Sequence, residues 1–359
     1  TDHQHGEILA ASINLDSIAV VSKTDDKKIK LVSGDFLMVT VDTENISKPG
    51  SGYGKSKSLI EGVCRGFKDR NLNVGGFNAY VTSDVLIGAG LSSSAAYETL
   101  LGTILSYMFN DGKVSSSEIA VIGQFAENVY FGKPCGLMDQ MACSTGNLVH
   151  VDFSNTENPF TERIDYDLSA NGYSLCITDT KGSHADLTDE YAAIPKEMKE
   201  VASIFGKEVL LGITMDDLLV NAPEIREKAG DRAMLRAIHF INENERVKEG
   251  VKALKENDTK EFLKLIRLSG HSSFEYLQNV YASADTKNQN ISLALAVSDS
   301  VLDKENESFR VHGGGFAGTI QAFVKNENVA KYKEAMQKLF GEDSCHVLKI
   351  RKYGGIRVM

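Results

Sequence analysis

Short runs of hydrophobic residues predict the strands of this chain. Between Ile8 and Val41 such runs alternate with polar turns, which indicates two or three strands. The other predicted strands are Gly76–Thr82, Asn147–Phe153, Tyr173–Asp179, the run after the glycines near Gly313, and two strands that close the chain. Strands are therefore expected in the first half of the chain and again near its end.

Hydrophobic residues at helical spacing predict the helices. They lie over Leu59–Phe67, Ser93–Phe109 and Val329–Leu339, and over most of Glu190–Val301. Interruptions of that last region are expected near Gly212, Pro223, Gly230 and Asp285. The turn-rich segment Ile46–Ser56 is predicted to be a loop.

One further helix is predicted from its capping pattern. Ser115–Glu118 reads SSSE, in which serine and glutamate side chains satisfy each other's backbone N–H groups. The helix that follows carries an apolar face and is ended by Gly132, Lys133 and Pro134. That face consists of Ile119, Ile122, Phe125, Ala126 and Val129.

The length and composition indicate a globular protein with two domains. The chain has 359 residues, of which 42% are hydrophobic and 25% charged. The composition shifts after Ser169, so the predicted domains are residues 1–169 and 170–359.

Charge and cysteine content narrow the choice of partners and compartment. A formal net charge of −10 argues against a general nucleic-acid or membrane binder, and no apolar run is long enough to span a bilayer. The five cysteines are scattered and contain no C-x-x-C pair, which favours a reducing compartment. The expectation is a cytoplasmic protein with no obligatory protein partner. Its acidic, helix-rich region from Glu190 to Lys260 is interpreted as a set of solvated helix faces, with a partner surface as the less favoured alternative.

The segment GAGLSSSAAYETL, Gly88–Leu100, has two possible interpretations. One of its serines caps the helix that follows, since serine favours that position. Alternatively, the glycines and helix N-terminus form an anion site in which serine hydroxyls contact a phosphate or Mg²⁺. No lysine follows, so this is not the G-x-x-x-x-G-K-[ST] phosphate loop.

Other candidate residues have similar alternatives. Asp139, in KPCGLMDQMA, is either a helix N-cap or a functional carboxylate, and Glu127 is either a solvated helix residue or part of a site. VHGGGFAGTIQ, Val311–Gln321, contains three successive glycines, which suit a tight turn or close approach of the backbone to a ligand.

The three motifs together resemble the GHMP family of small-molecule kinases. GLSSSA, a helix ending in Glu127 before GKPCGLMDQ, and GGGFAG occur in the order of that family. Within it, TDHQHG at the start and Cys135–Gln140 look like the galactokinase branch rather than homoserine or mevalonate kinases. The resemblance implies an α+β fold of two domains, the GHMP kinase fold, with the active site in the cleft between them.

The resemblance also implies roles for individual residues. ATP phosphates are expected at the serine loop, which comprises Gly88, Ala89, Gly90, Leu91, Ser92, Ser93, Ser94 and Ala95. Ser94 and Glu127 are the expected Mg²⁺ ligands, and Asp139 is the expected catalytic residue beside the reacting hydroxyl. Sugar contacts are expected from Asp2, Gly136, Asp139, Tyr191 and Gly314, with Gly315 near the substrates.

Several positions depart from the family pattern. The arginine and the Glu-His pair that precede the family signature have no counterpart before Thr1, so a native segment is expected to be missing. His3 replaces the signature tyrosine; it could pair with His5 at a metal, but a sugar-pocket or exposed position is favoured. Leu86 and Ala317 also differ from the pattern, and Tyr53 is a possible substitute for the aromatic near adenine.

The implied activity is ATP-dependent phosphorylation of the anomeric C1 hydroxyl of galactose, giving galactose 1-phosphate and ADP. Phosphoryl transfer requires positioning and charge neutralisation, which the motifs can supply. One alternative is a kinase for N-acetylgalactosamine or arabinose. The other is a galactose and ATP sensor, although the intact serine loop, Glu127 and Asp139 argue for catalysis.

Overall fold

A computed structural model describes residues 1–85, 91–133, 135–156, 159–182, 187–316 and 318–359. The chain forms two compact units. The 10–149 unit consists of Ala10–Val149 and Arg351–Met359, and the 150–350 unit consists of Thr1–Leu9 and His150–Ile350. The predicted domain division after residue 169 stays a prediction, and residues 150–169 belong to the 150–350 unit in this grouping.

The first part of the described chain alternates strands and helices. Its strands are β1 (Glu7–Ala11), β2 (Ser17–Thr24), β3 (Lys28–Ser33), β4 (Val39–Asp42) and β5 (Gly76–Ser83). Its helices are α1 (Ser56–Asp69), α2 (Ser93–Phe109), α3 (Ser116–Phe125), a π-helical segment Ala126–Phe131, and α4 (Met138–Thr145).

A four-stranded sheet forms one side of the 10–149 core. Its strand order is β2-β5-β3-β4, in which β3 and β5 are parallel and the other neighbours antiparallel. Inward residues such as Ile29, Leu31 and Phe77 are at most 1% exposed and pack with α1 and α2 residues such as Phe67 and Leu101. This core fixes the helices that carry the candidate residues of the unit.

The later part of the described chain is mainly helical. Its strands are β6 (Leu148–Asp152), β7 (Phe160–Ile164), β8 (Tyr173–Asp179), β9 (Ser308–Val311), β10 (Thr319–Lys325) and β11 (Cys345–Leu348). Its helices are α5 (Thr188–Ile204), α6 (Met215–Val220), α7 (Ala222–Lys228), α8 (Asp231–Lys255), α9 (Thr259–Ser272), α10 (Asn290–Val301) and α11 (Val329–Phe340).

Two sheets involve these strands. β6 lies between β1 and β7, and an antiparallel sheet has the order β11-β8-β10-β9. Apolar residues of the second sheet, such as Ile320 and Val311, pack against α10 and α11. A separate hydrophobic cluster joins α5, α6, α7 and α8. It includes Phe316 of the glycine turn, the segment Gly313–Phe316 between β9 and β10. The α+β class predicted from the sequence is confirmed.

Most predicted elements are confirmed, some with the same bounds. The helix over Ser93–Phe109 and the strand Tyr173–Asp179 are found as predicted. The capping box is present: Glu118 N–H donates to Ser115 Oγ at 3.2 Å, and Ser115 N–H donates to Glu118 Oε2 at 3.1 Å. Four strands, rather than two or three, lie between Glu7 and Asp42.

The second of the two closing strands was a wrong prediction. After β11 the described chain contains only a bridge at Ile350, and residues 351–359 form no strand. Gly354 packs so tightly that an added Cβ would lie 2.0 Å from the Ser144 carbonyl oxygen. Close packing of this segment within the 10–149 unit replaces strand pairing.

No helix among the described residues is long and apolar enough to cross a membrane.

Candidate active site

The serine loop is described from Leu91 onwards, so Gly88, Ala89 and Gly90 lie outside the described residues, as do Leu86 and Ala317. Leu91 and Ala95 are buried and anchor the start of α2. Ser92 occupies the N-cap position with φ 57°, but among the described residues its side chain makes no capping hydrogen bond. The Ser94 hydroxyl instead donates to Glu127 Oε1 at 2.7 Å. The capping hydrogen bond expected from one of the serines is therefore not made by the N-cap residue Ser92, and Ser94 is directed at a carboxylate.

Glu127 is held in the π-helical segment that extends α3. A π turn widens a helix locally, and such turns are frequent at functional sites. Gly62 of α1 allows this segment to pack closely, because a Cβ there would lie 2.7 Å from the Ala126 Cα. Gly132, with φ 82°, ends the segment. Glu127 is consequently fixed from both sides and is only 2% exposed.

The two carboxylate oxygens of Glu127 have different partners. Oε1 accepts the hydrogen bond from Ser94 and forms an ion pair with Lys133 Nζ at 3.1 Å. Oε2 accepts a hydrogen bond of 2.8 Å from the Gln140 amide nitrogen. The interpretation of Glu127 as a solvated helix residue is wrong, because a carboxylate on the exposed face would not be enclosed in this way.

A second buried carboxyl group lies beside Glu127. Glu98 of α2 is fully buried and its Oε2 accepts a hydrogen bond of 3.1 Å from the same Gln140 nitrogen. Burial and then the charge on Glu127 raise the pKa of Glu98 to about 8. At neutral pH this carboxyl group is mostly protonated.

Asp139 is the second residue of α4, whose N-cap is Leu137. The N-cap interpretation of Asp139 is therefore wrong, although the partial positive charge of the helix N-terminus still favours its carboxylate. Burial alone would lower the pKa of Lys133, but the charge and hydrogen bond of Glu127, with smaller contributions from Cys135 and Asp139, raise it above its usual value. The carboxylates of Glu127 and Asp139 thus both favour the charged form of Lys133.

The backbone before α4 is held by an asparagine of the π-helical segment. Cys135 N–H donates to Asn128 Oδ1 at 2.7 Å, and Asn128 Nδ2 donates to the Cys135 carbonyl at 3.2 Å. This pair of bonds sets the position of Gly136, which is exposed, and of the turn that leads to Asp139.

The chemistry of this cluster suits Mg²⁺ bound together with phosphate groups. Ser94 and Glu127 offer a hydroxyl and a carboxylate oxygen within 2.7 Å of each other. Mg²⁺ is commonly held by one or two carboxylates plus substrate phosphates rather than by a complete protein cage. No group of three or more His, Cys, Asp or Glu that could hold a metal occurs in the described ranges. Ser94 and Glu127 fit the ion together with the phosphate groups of a nucleotide.

Asp2, in the 150–350 unit, lies in a short 3₁₀ turn and pairs with its neighbour. His3 N–H donates to Asp2 Oδ1 at 2.8 Å, and His3 Nδ1 lies 3.5 Å from the same oxygen. Burial alone would raise the pKa of Asp2, but the hydrogen bonds from His3 hold it well below its usual range. Asp2 is therefore an ionised acceptor at neutral pH. Gln4, in the same 3₁₀ turn, is buried, and its Oε1 accepts a hydrogen bond of 2.9 Å from Leu210 N–H.

Tyr191 of α5 contacts the glycine turn. Its hydroxyl donates to the Gly315 carbonyl at 2.6 Å, and a Cβ on Gly314 would lie 2.8 Å from its ring. Asn279 Nδ2 donates to the Gly314 carbonyl at 3.1 Å, and the Asn279 carbonyl accepts from Phe316 N–H at 2.5 Å. The glycines thus serve close packing within the 150–350 unit.

Tyr53, the possible aromatic near adenine, is 59% exposed. Its ring lies against Gly132, where a Cβ would come within 2.7 Å of it. The loop is also fixed by a hydrogen bond of 3.0 Å from Gly54 N–H to the Phe131 carbonyl. The exposed Tyr53 ring therefore lies against Gly132, the residue that precedes Lys133.

Sequence reasoning assigned no role to several residues of these clusters, namely Glu98, Lys133, Gln140 and Asn279. Glu98 carried a signal, because it follows Ala95 and precedes Leu101 and Leu105 on the buried side of a predicted helix. A carboxyl group at such a core position is a reason to suspect a function. Asn279 had no comparable signal, since its contacts join segments far apart in the sequence.

Comparisons with known proteins agree on one family. Residues 58–147 match the model of the GHMP kinases N terminal domain. The chain is 31% identical over 353 residues to a galactokinase of Glaesserella parasuis, covering 96% of this chain and 85% of that protein. It is 28% identical over 345 residues to a galactokinase of Streptomyces coelicolor, covering 95% and 84%.

A solved structure shows the same fold. The crystal structure of Lactococcus lactis galactokinase complexed with galactose matches with a TM-score of 0.82 at 22% identity. The match covers 98% of this chain and 90% of that one. On the sequence relationship and the shared fold together, the chain belongs to the galactokinase family of GHMP kinases.

Proposed function

We propose that this protein phosphorylates the anomeric C1 hydroxyl of galactose with ATP, giving galactose 1-phosphate and ADP. The observation that carries the proposal is the group formed by Ser94, Glu127 and Lys133, together with Asp139 in the first turn of α4, whose charge acts on the pKa of Lys133. A hydroxyl at the N-terminus of α2 that lies close to a carboxylate and an ammonium group suits a transferring phosphoryl group. Family members named galactokinase support the choice of sugar.

The 10–149 unit would handle the nucleotide. Leu91–Ala95, with Gly88–Gly90 before them, would surround the phosphates, and Ser94 and Glu127 would hold Mg²⁺. When bound, Mg²⁺ neutralises phosphate charge and orients the γ-phosphate. Lys133 would supply further positive charge, since its side chain is 63% exposed and already faces Glu127 Oε1.

Asp139 would act on the sugar hydroxyl. Its carboxylate can orient the hydroxyl and accept its proton as the oxygen attacks the γ-phosphate, which is worth about 10²–10⁴-fold in rate. The position in the first turn of α4 stabilises the ionised form needed for that role.

The 150–350 unit would contribute sugar contacts. Asp2 is ionised and can accept hydrogen bonds from sugar hydroxyls, and Tyr191 would be a further hydrogen-bonding group for the sugar. Gly314 would let the backbone approach the substrates, and Gly136 is a further expected sugar contact.

A related sugar is the second candidate, and the observation that favours it is His3. Its imidazole, rather than a phenol, contacts Asp2, which changes the donors available to the sugar. N-acetylgalactosamine and arabinose are the sugars to compare. An ATP-coupled assay over galactose and these two sugars decides: we expect the highest kcat/KM for galactose, and turnover of another sugar without turnover of galactose contradicts the proposal.

Replacement of Asp139 tests the catalytic role. Asp139→Asn keeps the shape of the side chain but cannot accept a proton, so we expect kcat to fall by about 10²-fold or more while nucleotide binding is retained. Steady-state kinetics and calorimetric titration with ATP measure the two quantities. Full activity in Asp139→Asn would exclude a catalytic role for Asp139, and inactivity of the wild type with binding of sugar and ATP would favour the sensor.

A further inference from the structure

Two buried carboxyl groups share one amide group in the 10–149 unit. The Gln140 amide nitrogen lies 3.1 Å from Glu98 Oε2 and 2.8 Å from Glu127 Oε2. A primary amide nitrogen has two hydrogens, so Gln140 can donate one to each carboxyl group. Gln140 is 1% exposed and Glu98 is 0% exposed, and water therefore does not compete for either bond.

Glu98 is placed as a neutral acid rather than as an anion. Its Oε1 is buried and has no hydrogen-bond partner in the part of the chain that the structure describes. An ionised carboxylate with one oxygen unsatisfied, next to a second carboxylate, is strongly disfavoured in a buried position. The raised pKa of Glu98, caused first by burial and then by the charge on Glu127, agrees with this geometry.

Glu127 has the environment of an anion. Its Oε1 faces a serine hydroxyl and the ammonium group of Lys133, whose side chain is 63% exposed. Its Oε2 faces inward to Gln140. One oxygen is therefore tied to the protein interior, and the other lies on the side from which a cation can approach.

We propose that Glu98 and Gln140 are positioning residues for the metal-binding carboxylate, with Glu98 holding Gln140 so that its amide fixes Glu127 Oε2 and directs Oε1 to Mg²⁺. The inference rests on the proposed function, because it assumes that Mg²⁺·ATP binds at Ser94 and Glu127. Residues that orient a metal ligand in this way commonly change metal affinity or activity by about 10–100-fold when they are replaced.

Three single variants and one double variant test the contacts that run from Glu98 through Gln140 to Glu127. Glu98→Leu and Gln140→Met remove one partner each while keeping similar volume, and Glu98→Gln keeps an acceptor for the Gln140 amide. The measurement is calorimetric binding of a non-hydrolysable ATP analogue over a range of free Mg²⁺, and it requires no turnover. We expect Glu98→Leu and Gln140→Met each to raise the Mg²⁺ concentration for half-maximal binding roughly tenfold, and Glu98→Gln to stay close to the wild type.

The double variant distinguishes positioning from general loss of packing. If Glu98 acts through Gln140, Glu98→Leu adds nothing to Gln140→Met, because the contact is already lost. Glu307→Gln is the matched control: Glu307 is also buried, at 2% exposure, but bonds to Lys325 N–H and Asn328 in the 150–350 unit. We expect that control to leave the Mg²⁺ dependence unchanged.

Each result supports or overturns the inference. Wild-type Mg²⁺ dependence in both single variants, additive effects in the double variant, or an effect of Glu307→Gln as large as theirs would overturn it. A Glu98→Gln variant as impaired as Glu98→Leu would overturn the assignment of Glu98 as a neutral acceptor. A wild-type chain that binds the analogue without any need for Mg²⁺ would instead contradict the proposed function, and this inference with it.

Discussion

At the scale of single residues, the same side-chain type takes opposite roles within one cluster. Glu98 and Glu127 both contact Gln140, yet only Glu127 also has a cation and a hydroxyl as partners. The neighbours of each group decide whether the proton stays, because a buried charge needs compensating donors. A protonated Glu98 can therefore lie close to Glu127 without mutual repulsion.

The glycine turn provides a residue-scale prediction. Gly315 has φ 84°, and a Cβ there would lie 1.9 Å from the Asn279 carbonyl oxygen. We expect Gly315→Ala to lower the free energy of unfolding by about 2 kcal/mol or more, since backbone strain and a clash with backbone act together. Chemical denaturation followed by circular dichroism measures this change.

Gly313 is the matched control for that substitution. It also has a positive φ, 66°, but an added Cβ would meet no atom within 4 Å. Gly313→Ala should cost about 1 kcal/mol from backbone strain alone. Equal losses in the two variants would show that contact with Asn279 does not determine the Gly315 effect.

At the scale of secondary-structure elements, the π-helical segment is the feature that matters for the site. It carries Glu127 and Asn128, and α1 packs against it through Gly62. Hydrophobic periodicity predicted one helix running to Gly132, and it gave no indication that α3 would change to a π-helix at Ala126. The extra residue in the turn becomes visible only when the backbone is known.

Two glycines of α1, one turn apart, test this packing. A Cβ on Gly62 would lie 2.7 Å from the Ala126 Cα, whereas one on Gly66 would lie 2.8 Å from Ile122 Cγ2, the end of a side chain. We expect Gly62→Ala to destabilise the protein by about 1–3 kcal/mol, because backbone cannot move aside as a methyl group can.

Gly66→Ala is expected to be close to neutral, since the higher helix propensity of alanine, about 1 kcal/mol, offsets the adjustment of Ile122. Thermal unfolding of the two variants measures the difference. Equal stability of the two would contradict the proposed tight contact between α1 and the π-helical segment.

At the scale of the whole molecule, each compact unit has its own hydrophobic core. Each unit also contains some of the candidate site residues. Ser94, Glu127 and Asp139 belong to the 10–149 unit, and Asp2 and Tyr191 belong to the 150–350 unit. Family membership rests on the chain as a whole, since the alignment with the Glaesserella parasuis relative covers 96% of it.

The buried Glu98 gives the protein a pH-dependent stability. Its pKa is raised to about 8 in the folded chain from its ordinary value of 4.5, so between these values the folded state keeps a proton that the unfolded state releases. The contribution to stability is complete below pH 4.5, and it is lost as the pH rises to about 8. Its slope is at most about 1.4 kcal/mol per pH unit.

Denaturation curves of the wild type and Glu98→Gln at several pH values between 5 and 8 check this prediction. We expect the free energy of unfolding of the wild type, relative to the variant, to fall steadily as the pH rises. Other titrating groups cancel in that comparison. Parallel pH profiles would mean that Glu98 is ionised in the folded protein.

The sequence by itself determined the α+β class, most of the elements and the family. These follow from local periodicity, from a capping box such as Ser115–Glu118, and from ordered motifs whose residues lie close together in the chain. The closing strand after β11 was predicted wrongly, because the tight packing of Gly354 on Ser144 joins distant segments.

Only the tertiary structure decided which side chains of the motifs meet. Ser94 contacts Glu127 rather than capping its own helix. Gln140 bonds to both Glu127 and Glu98, although Glu98 and Gln140 are 42 residues apart in the chain. Hydrophobic periodicity determines which face of a helix is buried, but the contacts between polar groups depend on how the helices pack. The protonation of Glu98 follows from those contacts, and no local pattern of residues specifies it.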